Sequence, residues 1–298
     1  MRQAYHDLLN PEVVKTVSGL ALISRIIVDG YLNGLNHSRR VGSGMEFSQF
    51  RSYQPGDDLR LLDWKMLARS GRYYIKQSEI ETNISTKFIL DASKSMLHQE
   101  GSLTKMGYAK VLIASLAHLS QIQGDAIGLF ALNEYHLHTV YPNIQKQHYN
   151  KMLLELINIE NDGKWPEETT VTNQLHDHTS KELIFFITDL YEYNEELTEF
   201  IKQLKTIRNE VVVFHMMGAD EMNFNYKGTL TFEDLETGIK VKVDAKDAKK
   251  KYLKKLKKKM KVAKNEFLSN GIGYHLYTIN DPIAESIQYF LKRRLKLL

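Results

Sequence analysis

Six consecutive residues, Asp91-Ala92-Ser93-Lys94-Ser95-Met96, bring one carboxylate and two hydroxyls together. They follow the apolar run Phe88-Ile89-Leu90, which reads as a short buried strand, and precede a stretch of helical spacing from Thr104 to Gln121. Oxygen donors where a strand hands over to a helix suit a hard cation. Magnesium takes oxygen ligands, keeps some of its water and fits a shallow hydroxyl-rich loop. Hydroxyls are neutral ligands, so an ion held by them keeps much of its charge for an incoming acidic group. In an open α/β sheet the crevice beyond the carboxyl ends of the strands is the usual ligand site. The competing reading is structural: serines of a polar loop that cap the following helix.

Two distant pieces bear on the choice. A second apolar run, Leu183-Ile184-Phe185-Phe186-Ile187, ends in Thr188-Asp189-Leu190 and so places another carboxylate at the end of a strand. Upstream, Glu168-Thr169-Thr170-Val171-Thr172-Asn173-Gln174-Leu175 reads as a threonine-rich turn entering a helix. The Asp-x-Ser-x-Ser loop, a threonine and a second aspartate, in this order, resemble the metal-ion-dependent adhesion site of von Willebrand factor A domains. The resemblance implies Ser93, Ser95 and Thr169 as direct or near-direct ligands of Mg2+ or Mn2+. It makes Asp91 and Asp189 the holders of coordinating waters. Thr170 stands next to Thr169, and the sequence leaves the choice between them open.

A second distinctive stretch runs from Gly44 to Lys76. Around the type II turn expected at Gln54-Pro55-Gly56-Asp57, the acids Glu46, Asp57, Asp58 and Asp63 alternate with Arg51, Arg60, Lys65 and Arg69. The density predicts an ion-pair network that fixes a non-repetitive segment. Acid–base or metal chemistry by paired carboxylates is the sharper alternative, but each acid here has a basic neighbour. The run Tyr53-x-Pro55-Gly56-Asp57-Asp58-x-Arg60-x-x-Asp63-Trp64 and the following Ala68-Arg69 resemble the signature of the domain of unknown function 58 family. The resemblance covers nearly the whole chain. It implies a von Willebrand A-like domain and association with MoxR-type AAA+ ATPases. Many relatives carry transmembrane helices, for which this sequence offers no candidate.

The elements that must position these groups follow from periodicity. A first helix is expected over about Asp7 to Leu35, with Pro11 in its first turn and Gly30 and Gly34 suiting a break. Strands are expected at Asp125–Leu132, His136–Tyr141, Glu210–Met217 and Tyr274–Thr278. Helices are expected at Gln145–Ile157, Asn194–Arg208 and Pro282–Leu295, and a hairpin at Gly228–Val243 turning near Glu236-Thr237-Gly238. The alternation predicts an α/β protein, a von Willebrand A-like (Rossmann-like) doubly wound sheet. An N-terminal helix and the signature segment (residues 1–80) would pack on a domain of residues 81–298. The hairpin and a lysine-rich helix form an insertion in that domain at residues 219–270.

Composition sets limits. The chain has 298 residues and no cysteine, which excludes disulfides and thiolate metal sites. Its longest early uncharged stretch, Thr16 to Ser24, is flanked by Lys15 and Arg25 and falls far short of the about 20 residues of a membrane span. A soluble cytoplasmic protein is the expectation. The net charge of +4 hides an uneven distribution: Lys246 to Lys264 holds eleven lysines and one aspartate, leaving −6 for the rest. The helix of Ala245 to Leu268 should bury Leu253, Leu256, Met260, Ala263 and Phe267 against the sheet and solvate its lysines. Partners for base contacts are largely absent from it. The eleven histidines, including the pairs His136/His138 and His176/His178, read as structural or surface residues.

Three functions compete. The first is a non-enzymatic, metal-dependent protein-interaction module whose exposed ion takes a partner's acidic residue. Given the family resemblance, it would be an adaptor working with a MoxR-type AAA+ ATPase. The second is a metal-dependent phosphohydrolase, but a haloacid-dehalogenase-like enzyme needs a second carboxylate where Ser93 stands. Neither a phosphate loop nor a Gly-x-Ser-x-Gly elbow is present. The third is nucleic-acid binding through the lysine helix. The sequence favours the first.

Overall fold

The computed structural model describes residues 10–38, 50–52, 64–76, 84–166, 175, 181–279 and 281–297. The chain divides into two compact units, Met1–Tyr31 with Asn83–Leu298, and Leu32–Thr82. In the larger unit the main strands are β1 (Ile84–Asp91), β2 (Ala126–Leu132), β3 (Leu137–Asn143), β4 (Lys181–Thr188), β5 (Asn209–Met217), β6 (Thr229–Glu233), β7 (Lys240–Asp244) and β8 (Gly273–Thr278), beside a short hairpin of Gln99–Glu100 with Leu103–Thr104. The main helices are α1 (Val17–Ser38), α2 (Lys105–Ile122), α3 (His148–Asn158), α4 (Glu196–Gln203), α5 (Ala245–Ser269) and α6 (Ala284–Arg294). Residues beyond Tyr31 in α1 belong to the smaller unit.

Six strands form one sheet in the order β8-β5-β4-β1-β2-β3. Every pairing is parallel except that of β2 with the edge strand β3. This is the expected doubly wound, von Willebrand A-like arrangement, with β1 and β4 adjacent at its centre. Both are buried along their length apart from Lys181, as their continuous apolar runs require of strands covered on two faces. On one face Phe88, Phe185, Phe214 and Phe290 of α6 stack with centroids 5.3 to 5.9 Å apart. On the other, Ile184 and Phe186 pack with Trp165, Phe200 of α4 and Phe267 of α5. Gly128 of β2 allows the close passage of the edge strand, since a Cβ there would lie 2.9 Å from the Pro142 ring.

Several boundaries differ from expectation for local reasons. The first helix is two: Pro11–Val14, with Pro11 in its first turn, and α1, which restarts where the Thr16 hydroxyl accepts the Gly19 N–H at 3.1 Å. Gly30 and Gly34 do not break α1, which continues to Ser38. Helix α4 stops at Gln203 rather than Arg208, because the Asn209 side chain takes the Leu204 carbonyl at 2.7 Å and the Thr206 N–H at 2.8 Å. The apolar stripe of α5 is less buried than its pattern suggests. Phe267 is in the core, whereas Leu253, Leu256, Met260 and Ala263 are half-buried. The hairpin of β6 and β7 turns at the expected residues.

In the smaller unit, Phe50–Ser52 pairs antiparallel with Tyr74–Lys76, and Trp64–Ser70 is helical. Glu46, Asp57, Asp58, Arg60 and Asp63 lie outside the described residues, as do the side chains of Arg51 and Lys65.

Candidate metal centre

Strands β1 and β4 run side by side, with Leu90 paired to Ile187, so the residues that follow emerge together at the carboxyl edge. Asp91 is fully buried. Its Oδ1 accepts the Ser93 N–H at 3.0 Å and its Oδ2 the Thr188 hydroxyl at 2.7 Å. Ser93 Oγ and Ser95 Oγ are 2.9 Å apart, and Ser95 Oγ donates to Asp189 Oδ1 at 3.0 Å. Four of the five residues expected at the site are thus brought together. The fifth, Thr169, lies outside the described residues.

The loop is held from behind. Lys94 N–H donates to the Gly163 carbonyl at 3.0 Å, the Asn161 amide to the Ser93 carbonyl at 2.8 Å, and Asp162 N–H to the Ala92 carbonyl at 3.1 Å. The serines are not helix caps: Ser93 makes no side-chain cap bond to the short 3-10 turn Lys94–Leu97. Helix α2 takes its cap from Thr104, whose hydroxyl accepts the Gly107 N–H at 3.0 Å. With the capping task done elsewhere, the serine hydroxyls are left facing Asp189.

Three residues at this centre carry no sequence signal. Lys105, in the first turn of α2, is buried and donates to Asp189 Oδ2 at 3.0 Å and Glu221 Oε1 at 2.9 Å. His215 of β5 lies between the Asp189 carbonyl, 3.1 Å from Nε2, and the Tyr274 hydroxyl, 2.6 Å from Nδ1. Burial pushes the imidazole down to about 4. The neutral ring therefore donates from Nε2 and accepts at Nδ1. The third is Glu236, at the hairpin turn, whose carboxylate lies beside Ser95 within the influence of Asp91 and Asp189. Burial, then those two charges, push it up to about 8.

The two aspartates are driven apart. Burial, then the charge of Asp189, raises Asp91 to about 6. Burial also works against the Asp189 carboxylate, but the Lys105 ammonium and the bonds from Lys105 and Ser95 outweigh it and hold Asp189 below the usual range. Leu190, immediately after, has φ 51. A left-handed leucine is strained, and such strain gathers at functional sites. Its carbonyl accepts Lys259 of α5 at 3.2 Å.

These donors suit a hard divalent ion. Neighbouring ligands in an octahedral shell of about 2.0–2.1 Å radius stand about 2.9 Å apart. Ser93 Oγ and Ser95 Oγ stand 2.9 Å apart, and Asp189 Oδ1 accepts from Ser95 Oγ at 3.0 Å. Nearby, the ligand atoms of His98, Glu100 and Glu221 lie within 4.8 Å of one another. Their oxygens are already engaged: Glu100 accepts Asp220 and Glu221 N–H groups, and Glu221 accepts Gly218 N–H and Lys105. Of the paired histidines, His138 stands 3.8 Å from Glu155, and His176 and His178 lie outside the described residues.

The family described as protein of unknown function DUF58 matches residues 49–262. Uncharacterized proteins of Mycobacterium tuberculosis and Mycobacterium bovis are 27% identical over 147 residues, 49% of this chain and 46% of theirs. The matched region thus spans about half the length of these relatives. Among solved structures, an aerotolerance-related membrane protein from Bacteroides fragilis is similar at a TM-score of 0.47 and 16% identity, covering 72% of this chain and 100% of that one. The conserved hypothetical protein BatB from Bacteroides thetaiotaomicron gives 0.46 and 15%, with 70% and 100% covered. A von Willebrand factor type A protein from Catenulispora acidiphila gives 0.37 and 14%, with 72% and 42% covered.

Proposed function

The chain belongs to the DUF58 family, and we propose that this member is a metal-dependent protein-interaction module, an adaptor between a MoxR-type AAA+ ATPase and a client. One observation carries the metal-dependent part: the Ser93 and Ser95 hydroxyl oxygens stand 2.9 Å apart, the edge of an octahedral shell, with Asp189 bonded to Ser95 behind them. Ser93 and Ser95, with Thr169, would hold Mg2+ or Mn2+, and Asp91 and Asp189 would hold its waters. When bound, the ion supplies a Lewis-acidic position that a partner's carboxylate can fill.

The chain's own groups set up that position. Thr188 and the Ser93 N–H fix Asp91, and so the start of the loop. Lys105 and His215 orient Asp189 from its carboxylate and carbonyl sides. Hydrolysis is disfavoured because Asp91, the only acid in a nucleophile's position on the loop, is buried with both oxygens engaged.

A single carboxylate contact fixes geometry but cannot supply a whole interface, which normally buries about 1,600 Å². The acidic body and the basic α5 would add steering, mainly through the association rate. The ATPase as partner rests on the family resemblance. Among the described residues no helix is long and apolar enough to cross a membrane; a cytoplasmic location belongs to this same proposal. The test is a pull-down of the ATPase with wild type and Asp189→Ala, in magnesium and in chelator. Binding should weaken in chelator, and Asp189→Ala should mimic it. A complex equally tight in both conditions refutes the metal-bridged mechanism.

A further inference from the structure

The tip of the β6–β7 hairpin has a chemistry that its exposed position does not require. Glu236 Oε1 is buried and, among the described residues, has no hydrogen-bond partner. An unpaired buried acceptor is costly, more so when charged. The Ser95 hydroxyl is within bonding reach of the same carboxylate, and the charges of Asp91 and Asp189 act on it. Lys105 already pairs with Asp189, and a cation beside the serine hydroxyls would attract the Glu236 carboxylate as well.

The hairpin is built to deliver this group. Asp234 organises the turn, accepting the Glu236 N–H at 2.9 Å and the Thr237 hydroxyl at 2.8 Å. Gly238 closes it with φ 71 and donates to the Asp234 carbonyl at 2.7 Å. The Asp234 carboxylate also accepts the hydroxyls of Tyr191 at 3.0 Å and Tyr193 at 2.8 Å. Those tyrosines follow Asp189 in the same loop, so the tip is tethered to the segment that presents the second aspartate. Between tip and base both strands are largely exposed. The base is closed by the Ala245 N–H, which donates to the Gly228 carbonyl at 2.9 Å, and Phe232, near the turn end of its strand, packs against Phe224 and Tyr226 with centroids 5.9 and 5.2 Å apart. The ribbon is therefore fixed up to Phe232, and the turn beyond it is held by the Tyr191 and Tyr193 hydrogen bonds to Asp234.

We propose that Glu236 is an internal ligand of the Asp91–Ser93–Ser95–Asp189 centre, occupying the position that a partner's carboxylate takes when the hairpin tip is displaced. This rests on the metal-site reading above. It makes the interaction module self-closing: a partner must offer an acidic group that competes with Glu236. Tyr191, Tyr193 and Asp234 act as positioning residues that set how strongly the tip competes.

Manganese(II) is a suitable probe, because its effect on water-proton relaxation reports how many exchangeable waters the bound ion keeps. The full chain would be titrated as wild type, Glu236→Gln, Asp234→Ala and Ser93→Ala/Ser95→Ala, with and without acetate. Replacing Glu236 should weaken manganese binding by about tenfold, the scale of losing one supporting group at a metal site. It should also raise the relaxivity of the bound ion, as water takes the vacated position. Asp234→Ala, which frees the tip and keeps Glu236, should raise relaxivity in the same direction. Acetate should reverse the rise in Glu236→Gln while leaving wild type unchanged at the same concentration. If wild type binds manganese and the serine pair abolishes it, yet Glu236→Gln matches wild type in affinity and relaxivity, the internal ligand is refuted and the metal site survives. If wild type binds no manganese, the metal-site reading itself fails, and this proposal with it.

Discussion

Ser95 Oγ donates to Asp189 Oδ1 at 3.0 Å, joining the loop after β1 to the loop after β4. That bond sets a neutral oxygen suited to hold an ion beside a charged one suited to hold that ion's water. Metal at tenfold excess over its dissociation constant should stabilise the fold by about 1.4 kcal/mol by mass action. Ser93→Ala with Ser95→Ala removes the two neutral donors and leaves Asp91 anchored by Thr188 and the Ser93 N–H. The double variant should melt near wild type in chelator and gain nothing from magnesium or manganese. A metal-induced shift equal to that of wild type would rule the site out.

Lys105 complicates the picture, and usefully. Its ammonium is buried against Asp189 and Glu221 at 3.0 and 2.9 Å. Burial works against its charge, but the two carboxylates outweigh that and raise it above the usual lysine value. Lys105→Met leaves both carboxylates without their cation, and breaking a buried pair in this way costs about 3–5 kcal/mol. In chelator the variant should therefore melt well below wild type. A divalent ion beside Asp189 restores part of the missing charge, so the metal-induced rise in melting temperature should exceed that of wild type. Equal increments in both proteins would show that Lys105 and the ion do not share Asp189.

Much of this was legible in the sequence, for identifiable reasons. The runs Phe88–Leu90 and Leu183–Ile187 are continuous because β1 and β4 are covered on both faces, and that continuity marks where they end and which acid follows. Asp91, Ser93, Ser95 and Asp189 came from those ends. Lys105 was not legible: a lysine at the start of a helix ordinarily reaches solvent, and only the fold places Glu221 and Asp189 around it. Glu236 was hidden for a similar reason. The turn was visible in Glu236-Thr237-Gly238, but the direction of its carboxylate depends on the Tyr191 and Tyr193 hydroxyls gripping Asp234. His215 sits inside an apolar run, and its role emerges only from β5 lying next to β4. The half-buried stripe of α5 shows the opposite failure, a strong periodicity that the core only partly uses.

His148, at the start of α3 and remote from the metal centre, gives a pH dependence of known sign. Burial holds its imidazole below the usual range, helped by Lys151 and opposed by the Ile127 and Tyr141 carbonyls. Nε2 lies 3.0 Å from the Ile127 carbonyl, which the neutral ring satisfies by donating. The unfolded chain takes up a proton near pH 6.5, the folded chain only at lower pH. The contribution is therefore complete above about pH 6.5 and drains away as the pH falls below it. His148→Gln keeps an amide donor and does not titrate. Melting curves in chelator at about pH 7.5 and pH 5.5 should show wild type losing more than the variant on acidification. A constant difference between the two would mean that His148 titrates alike in both states.

The lysine face of α5 sets the last expectation. Its half-buried stripe and the Lys259 bond to the Leu190 carbonyl attach this helix to the body beside the metal centre. The other lysines from Lys246 to Lys264 form a dense positive surface with no arginine and, in that span, only Tyr252 as an aromatic. Tyr252 is not free for bases, since its ring packs on Phe224 with centroids 5.0 Å apart. A surface of this kind attracts phosphates without reading sequence. Binding to nucleic acid should therefore be weak, indifferent to sequence and steeply salt-dependent, with a log–log slope near −0.9 for each phosphate neutralised. Fluorescence anisotropy with a labelled duplex, taken from low to physiological salt, measures that slope directly. Affinity should vanish near physiological salt. Lys250→Glu with Lys254→Glu should reduce the slope by about two phosphates' worth while leaving the manganese affinity of the centre unchanged. Tight binding that survives at physiological salt would instead make α5 a nucleic-acid element and displace the adaptor reading.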